Sequence, residues 1–163
     1  MSSNSEATRI FKALRRIVRA IDLRSREISR TSGLTIPQTV VLQAIRDLGE
    51  VTTKALSERA DLSPATVVTI LDRLEERRLV VRYRSDSDRR IVHARLSEGG
   101  AALLERAPPL LTQEFEAAFA RADPADQRRL AEAAEEIAAL MNASRIDAAP
   151  ILTTGDMVDP PQS

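Results

Sequence analysis

The residues whose chemistry most clearly indicates a binding role are two adjacent arginines, Arg89 and Arg90, which follow Asp88 in the polar segment SDSDRR. A guanidinium forms charge-assisted hydrogen bonds with phosphate and is attracted to the negative potential of a narrow minor groove. We therefore expect Arg89 and Arg90 to contact nucleic acid, and Asp88 to brace an arginine by a charge-assisted hydrogen bond. The alternative is a solvated hairpin turn of mixed charge.

Residues for other chemistries are scarce. The chain has no cysteine, and His93 is its single histidine, without a companion for nucleophilic catalysis or metal binding. Its five glycines form no phosphate-binding loop. The acidic pairs Glu75-Glu76 and Glu135-Glu136 are expected on exposed helix faces. We expect a protein that is not an enzyme, with no catalytic residue, no metal site and no cofactor.

Charge is distributed unevenly although the net charge is zero. Residues 1–31 contain eight basic and three acidic residues, and residues 73–95 contain eight basic and four acidic ones. From residue 97 onward, five basic residues face twelve acidic ones. A GC-rich genome would explain the choice of arginine but not this clustering. The asymmetry indicates one face for nucleic acid and another for a different contact.

The segment before the arginine pair has the sequence pattern of a helix-turn-helix. Thr52 or Thr53 caps a short helix, and Ser63 caps a second one whose first position is Pro64. The apolar side of this second helix is predicted to be Val67, Val68, Ile70, Leu71 and Leu74. Its outward residues are expected to reach base edges or phosphates: Ser63, Ala65, Thr66, Thr69 and Arg73. The alternative is an ordinary pair of capped helices inside a bundle.

A β-hairpin is predicted directly after that helix, because residues 79–84 and 91–96 have strand composition on either side of a polar turn. A hairpin in this place is a wing, which lies along the DNA backbone or enters the minor groove. Arg82 and Arg84 of the first strand are therefore included among the expected DNA contacts.

Long amphipathic helices are predicted on both sides of this unit. The first covers residues 6–31 and ends at Gly33, and Thr35 then caps a buried second helix. A helix from Ser97 is interrupted at Pro108-Pro109, and Asp123 caps a final helix with an acidic face that could pair with the basic first helix. The first helix could be a membrane-surface element, but a stripe of branched aliphatic residues favours a subunit interface. The expected dimerisation residues are Ile10, Phe11, Leu14, Ile17, Leu111, Phe115, Ile137 and Leu140.

The segment DSDRRIVHARLS resembles the wing signature DxRxxxxxLT of the MarR family of bacterial transcriptional regulators, with Asp88, Arg90 and Leu96-Ser97 at the motif positions. Ser97 stands where the family usually has threonine. The preceding LSERADLSPATVVTILDRLEERRLVVR is similar to the paired helices and first wing strand of that family. The resemblance implies a mainly α, winged helix-turn-helix protein with a small β-hairpin wing, dimeric through its N- and C-terminal helices. It assigns Arg90 to the minor groove, Asp88 to bracing it, and the helix from Ser63 to the major groove.

These observations predict a domain organisation and a set of partners. Residues 1–34 form a dimerisation helix, 35–97 the DNA-binding domain, 98–144 the C-terminal dimerisation helices, and 145–163 an extended or disordered tail. The partners are a pseudo-palindromic operator in double-stranded DNA and a second copy of the chain, and the resemblance adds a small-molecule effector of unidentified class. No apolar run is long enough to span a bilayer, so we expect no membrane partner and a cytoplasmic protein.

A finer resemblance concerns what the protein controls. The fragments RAIDLRSREI, TVVTILDRLE and RIDAAPIL are similar to the MarR subgroup that represses the biosynthesis of ectoine and other compatible solutes. It implies a repressor in the osmotic stress response, released when rising ionic strength weakens DNA binding. The alternative function is a winged-helix protein-interaction module that does not bind DNA.

Overall fold

The computed structural model describes residues 3–143 and residue 146, which form a mainly helical chain with one small antiparallel sheet. The elements in chain order are α1 (Ser3–Ser32), α2 (Ile36–Leu48), β1 (Val51–Thr52), α3 (Thr53–Ala60), α4 (Pro64–Glu76), β2 (Val80–Arg84), β3 (Val92–Leu96), α5 (Glu98–Arg106), α6 (Gln113–Ala120) and α7 (Pro124–Leu140). The mainly α fold with a β-hairpin wing is confirmed. The predicted tail, residues 145–163, lies outside the described residues apart from Ile146.

The helices begin where side chains satisfy otherwise unpaired backbone amides. Thr35 and Gln38 form a capping box at the start of α2, since the Thr35 amide donates to Gln38 Oε1 and the Gln38 amide to Thr35 Oγ1. Thr52, Ser63 and Ser97 cap α3, α4 and α5 through their hydroxyl oxygens. The predicted caps of these helices are therefore confirmed, with Thr52 rather than Thr53 capping α3.

The sheet contains one strand more than the predicted hairpin. Its order is β1-β3-β2, and both pairings are antiparallel. Val80 pairs with Leu96 at the base of the hairpin, and Val51 of β1 pairs with Ala94. The extra strand attaches the wing to the segment between α2 and α3.

The hydrophobic core lies in the helix-turn-helix unit and the base of the sheet. Its fully buried side chains come from α1, the connection between α1 and α2, and from α2, α3, α4 and β2; the largest are Ile28, Leu34, Leu42, Ile45, Leu56, Leu71 and Leu74. Val68 was predicted on the apolar side of α4, but this prediction is wrong, because 41% of its surface is exposed. It lies one position beyond the buried stripe that includes Val67, Leu71 and Leu74.

The predicted interruption at Pro108-Pro109 is confirmed, since α5 ends at Arg106 and α6 begins at Gln113. Arg24 of α1 reaches this break. Its Nε donates to the Pro109 carbonyl at 2.8 Å, and its Nη1 lies 2.6 Å from Glu27 Oε2. The break is therefore held against the first helix by a guanidinium.

The flanking helices bury little of their apolar surface within one chain. Neither α6 nor α7 contains a buried residue. Exposed large apolar side chains on α1 include Ile10, Phe11, Ile17, Val18, Ile21 and Leu23. In the described part of the chain no helix is both long and apolar enough to cross a membrane.

Candidate nucleic-acid interface

One face of α4 is accessible along its length and carries the predicted reading residues. Ala65, Thr69 and Arg73 are exposed, as is the capping residue Ser63, while Thr66 is half-buried. Ser63 Oγ accepts from the Thr66 amide at 3.1 Å and lies 2.7 Å from Thr66 Oγ1. Thr69 Oγ1 donates to the Ala65 carbonyl at 3.1 Å, which leaves its lone pairs for an incoming donor. The helix thus presents small and hydroxyl-bearing residues, which suit close approach to base edges.

The wing tip is an ordered turn. Asp88 Oδ1 accepts from the Arg90 amide at 3.0 Å, and the Asp88 carbonyl accepts from the Ile91 amide at 2.9 Å. Arg84 Nη1 donates to the Arg89 carbonyl at 2.8 Å. The expected bracing of an arginine by Asp88 takes place through the backbone of Arg90 and not through its guanidinium.

Arg89 and Arg90 lie within the turn itself. Both residues are exposed, and within residues 3–143 neither guanidinium forms a hydrogen bond or an ion pair. Their side chains therefore keep all their donors, while Asp88 and Arg84 fix the backbone that carries them. Such a tip can bind phosphate, or insert into a narrow groove, without first breaking an internal contact.

Arg82 has a different environment from the tip arginines. Its Nη2 lies 2.6 Å from Asp72 Oδ1 and 2.6 Å from Glu75 Oε2, and its Nε donates to Glu75 Oε2 at 3.0 Å. The hydrogen bond to Glu75 raises the pKa of Arg82 above its ordinary value. Glu75 keeps 41% of its side-chain surface exposed while it pairs with Arg82. The pairing of Arg82 with Asp72 and Glu75 was not predicted; its sequence signal is the i, i+3 spacing of the two carboxylates on one helix face.

The single tyrosine and the single histidine are paired on the two wing strands, one position from the Arg84–Val92 pair that precedes the turn. Tyr83 and His93 stack with ring centroids 5.4 Å apart, and the Tyr83 hydroxyl donates to Glu50 Oε2. This hydrogen bond raises the pKa of Tyr83 above 10.0. His93 Nδ1 is buried without a hydrogen-bond partner. His93 thus packs in the strand, as predicted.

A cleft of about 430 Å³ lies where α1, α2 and α4 meet. Ser29, Thr35, Arg73 and Arg77 are among its lining residues, and Arg77 Nη1 donates to the Gly33 carbonyl at 2.7 Å. The cleft lies between the C-terminal end of α1 and α4. No group of three or more histidine, cysteine or acidic residues that could hold a metal ion occurs in the described residues.

Comparison with known proteins shows similarity in sequence and in fold. The profile of the MarR family matches residues 34–92. Two uncharacterized HTH-type transcriptional regulators of Bacillus subtilis (strain 168) are similar in sequence: YsmB is 34% identical over 59% of this chain and 66% of its own length, and YhbI is 32% identical over 66% of this chain and 72% of its own. The chain thus spans about two thirds of the length of YsmB.

A similar fold occurs in Sco3205 of Streptomyces coelicolor, described as a MarR family transcriptional regulator in complex with DNA. The TM-score is 0.68, and the two chains are 22% identical over 82% of this chain and 86% of Sco3205. Both sequence relatives are named as transcriptional regulators, in agreement with the expectation that the chain is not an enzyme.

Proposed function

The chain belongs to the MarR family of DNA-binding transcriptional regulators, and from this premise we propose that it is a homodimeric repressor of a pseudo-palindromic operator. The observation that carries the proposal is the wing tip, where an ordered turn fixes the backbone of the exposed residues Arg89 and Arg90. A tip of this kind is suited to a narrow minor groove.

The reading helix α4 is assigned to the major groove. Its exposed face offers the hydroxyl oxygens of Thr66 and Thr69, the methyl group of Ala65 and the guanidinium of Arg73. Threonine and alanine can contact a thymine methyl group, and arginine can reach guanine or phosphate. Ser63 is the N-cap of α4, so the first backbone amides of the helix lie at the same end as Ala65 and Thr66. Arg84 is proposed to stabilise the backbone of the wing tip, because its guanidinium donates to the Arg89 carbonyl.

A second copy is proposed to cover the apolar stripes of the flanking helices. Exposed apolar side chains occur in α1, in α6 and the segment before it, and in α7. They include Phe11 at 58%, Leu111 at 53%, Phe115 at 51% and Leu140 at 78%. Surface of this kind on several helices is typical of a subunit interface. Ile10, Leu14, Ile17 and Ile137 extend the same stripes. We accordingly divide the chain into dimerisation helices (1–34 and 98–144) around a DNA-binding unit (35–97).

Two signals are proposed for release from DNA. The resemblance of residues 19–28, 66–75 and 145–152 to regulators of ectoine biosynthesis supports osmolyte genes as the target and ionic strength as the signal, because counterion release makes DNA binding weaken with salt. The cleft beside Arg73 and Arg77 supports a small anionic effector instead. Measuring operator affinity against potassium glutamate and, at constant ionic strength, against sodium benzoate separates the two.

The test begins with sequencing of the genomic fragments that the protein binds, which identifies the operator and the neighbouring genes. Affinity for that operator is then measured by fluorescence anisotropy over a range of salt. We expect log K to fall steeply with log salt, and the slope to decrease by about 0.9 for each phosphate contact removed in an Arg89→Ala, Arg90→Ala variant.

The matched control is Arg15→Ala, Arg16→Ala, which removes the same charge from α1. This control variant should leave the slope of log K against log salt close to that of the unmodified protein, because α1 lies outside the proposed DNA-contacting surface. An unchanged slope in the Arg89, Arg90 variant would refute the role of the wing tip. Absence of salt-dependent binding to any duplex by the unmodified protein would favour the protein-interaction module.

A further inference from the structure

Arg82 links the wing to the reading helix. It belongs to β2, and both of its carboxylate partners, Asp72 and Glu75, belong to α4. The link has three side-chain contacts of 3.0 Å or less, and the Arg82 amide adds a fourth, longer one to Glu75 Oε1 at 3.4 Å. Asp72 and Glu75 are three residues apart, so they lie on the same side of the helix and converge on one guanidinium.

The geometry makes Arg82 poorly suited to be a DNA contact. Only 24% of its side-chain surface is exposed, and both Nε and Nη2 already donate to carboxylates. Two carboxylates around one guanidinium also leave a local net negative charge, which a phosphate would meet unfavourably. Reaching DNA would require Arg82 to break charge-assisted hydrogen bonds that are among the strongest in proteins.

We propose that Arg82 is a positioning residue that fixes the wing relative to α4, so that the tip arginines and the reading helix meet adjacent grooves of one half-site. This inference rests on the proposed function and revises the expectation that Arg82 itself contacts DNA. Arginine is required because its planar fork engages two carboxylates at once, whereas the ammonium group of lysine acts as a point charge. Asp72 and Glu75 act through Arg82.

The first test replaces Arg82 with methionine, which keeps the apolar length of the side chain. Operator affinity should fall about tenfold, the size expected from losing a charge-assisted hydrogen bond. The slope of log K against log salt should stay that of the unmodified protein, because no phosphate contact is lost. A slope reduced by about 0.9 per arginine would instead make Arg82 a DNA contact and overturn the proposal.

The second test uses the sign of the effect. The variant Asp72→Ala, Glu75→Ala removes two negative charges beside the DNA, which by electrostatics alone strengthens binding. Because the variant also leaves Arg82 without its partners, the proposal expects weaker binding. Glu76→Ala is the matched control, since it removes one carboxylate from the same helix turn without touching Arg82, and it should bind as tightly as the unmodified protein or more tightly. Unchanged or stronger binding by the double variant would overturn the proposal.

A readout without DNA separates this proposal from the proposed function. Amide hydrogen exchange across residues 80–96 should accelerate in the Arg82→Met and Asp72→Ala, Glu75→Ala variants and stay unchanged in Glu76→Ala, because the wing loses its attachment to α4. Exchange that is equal in all four proteins would refute the link even if operator binding is confirmed. Accelerated exchange in a protein that binds no duplex would refute the proposed function and leave the link standing.

Discussion

Gly100 is the position where one added methyl group should do the most damage. It is buried in the first turn of α5, and a Cβ built there would lie 2.0 Å from the Leu79 carbonyl oxygen and 2.9 Å from its carbon. Side-chain carbons essentially never come closer than 3.0 Å to such atoms. Since the nearest atoms are backbone, Gly100→Ala forces the start of α5 to withdraw from Leu79 by about 1 Å.

The magnitude follows from the hydrogen bonds at this junction. The Ser97 amide donates to the Leu79 carbonyl at 3.0 Å, Ser97 Oγ donates to the Arg78 carbonyl at 2.7 Å, and the Gly100 amide donates to Ser97 Oγ at 2.9 Å. Each of the first two contributes about 1 kcal/mol, and the helix cap contributes about 1 kcal/mol more. We therefore expect a loss of about 3 kcal/mol, or a decrease in Tm of roughly 6–12 °C for a chain of this size.

Thermal unfolding followed by circular dichroism measures this loss, and Gly99→Ala is the matched control. A Cβ at Gly99 would meet its nearest atoms at 3.7 and 3.8 Å, which is ordinary contact. Alanine is the better helix former by up to about 1 kcal/mol, so Tm should stay the same or rise in Gly99→Ala. Equal Tm values for the two variants would show that α5 does not approach Leu79 as described.

Two further predictions concern the dimer and the wing. Phe11→Glu should convert a dimer into a folded monomer in sedimentation equilibrium, because it buries an unpaired charge in the proposed dimer interface. The control Lys12→Glu changes a residue away from the apolar stripe and should leave the dimer intact. A dimer that persists in Phe11→Glu contradicts the assignment of α1 to the dimer interface. Tyr83, the single tyrosine, should ionise above pH 10.0 in a phenolate absorbance titration, and Glu50→Ala should return its pKa towards that value. Because the fold favours the protonated phenol, this contribution to stability is complete below pH 10.0 and is lost as pH rises through the raised pKa; an identical pKa in both proteins would exclude the hydrogen bond.

The local elements could be predicted because their signals are short in sequence. Thr35, Ser63 and Ser97 each stand directly before an apolar helical pattern, and a side-chain oxygen there has one plausible role. The two-residue strand β1 could not be predicted, because Val51 and Thr52 form a strand only through pairing with β3, about forty residues later. The burial of Val68 was wrongly predicted for a related reason. A valine at the edge of an apolar stripe is buried or exposed according to what packs beside it.

The arginines show where composition stops being informative. Sequence clustering treats Arg82, Arg84, Arg89 and Arg90 as one basic group, yet the structure gives them three different environments. Arg82 is held by carboxylates of α4, Arg84 supports the backbone of the turn, and only Arg89 and Arg90 keep their guanidinium groups without an internal partner among the described residues. How many of an arginine's donors remain available for DNA depends on its internal contacts, and those contacts depend on the fold.

This division of labour also explains why the wing can be short. An unsupported two-stranded hairpin is at best marginally stable in water, and the entropy lost on docking a mobile wing would reduce its affinity for a groove. Here β1 covers one edge of β3, Tyr83 of β2 stacks on His93 of β3, and Arg82 fastens β2 to α4. The cost of ordering the wing is thus met during folding, which leaves the tip arginines able to bind DNA with little further loss of freedom.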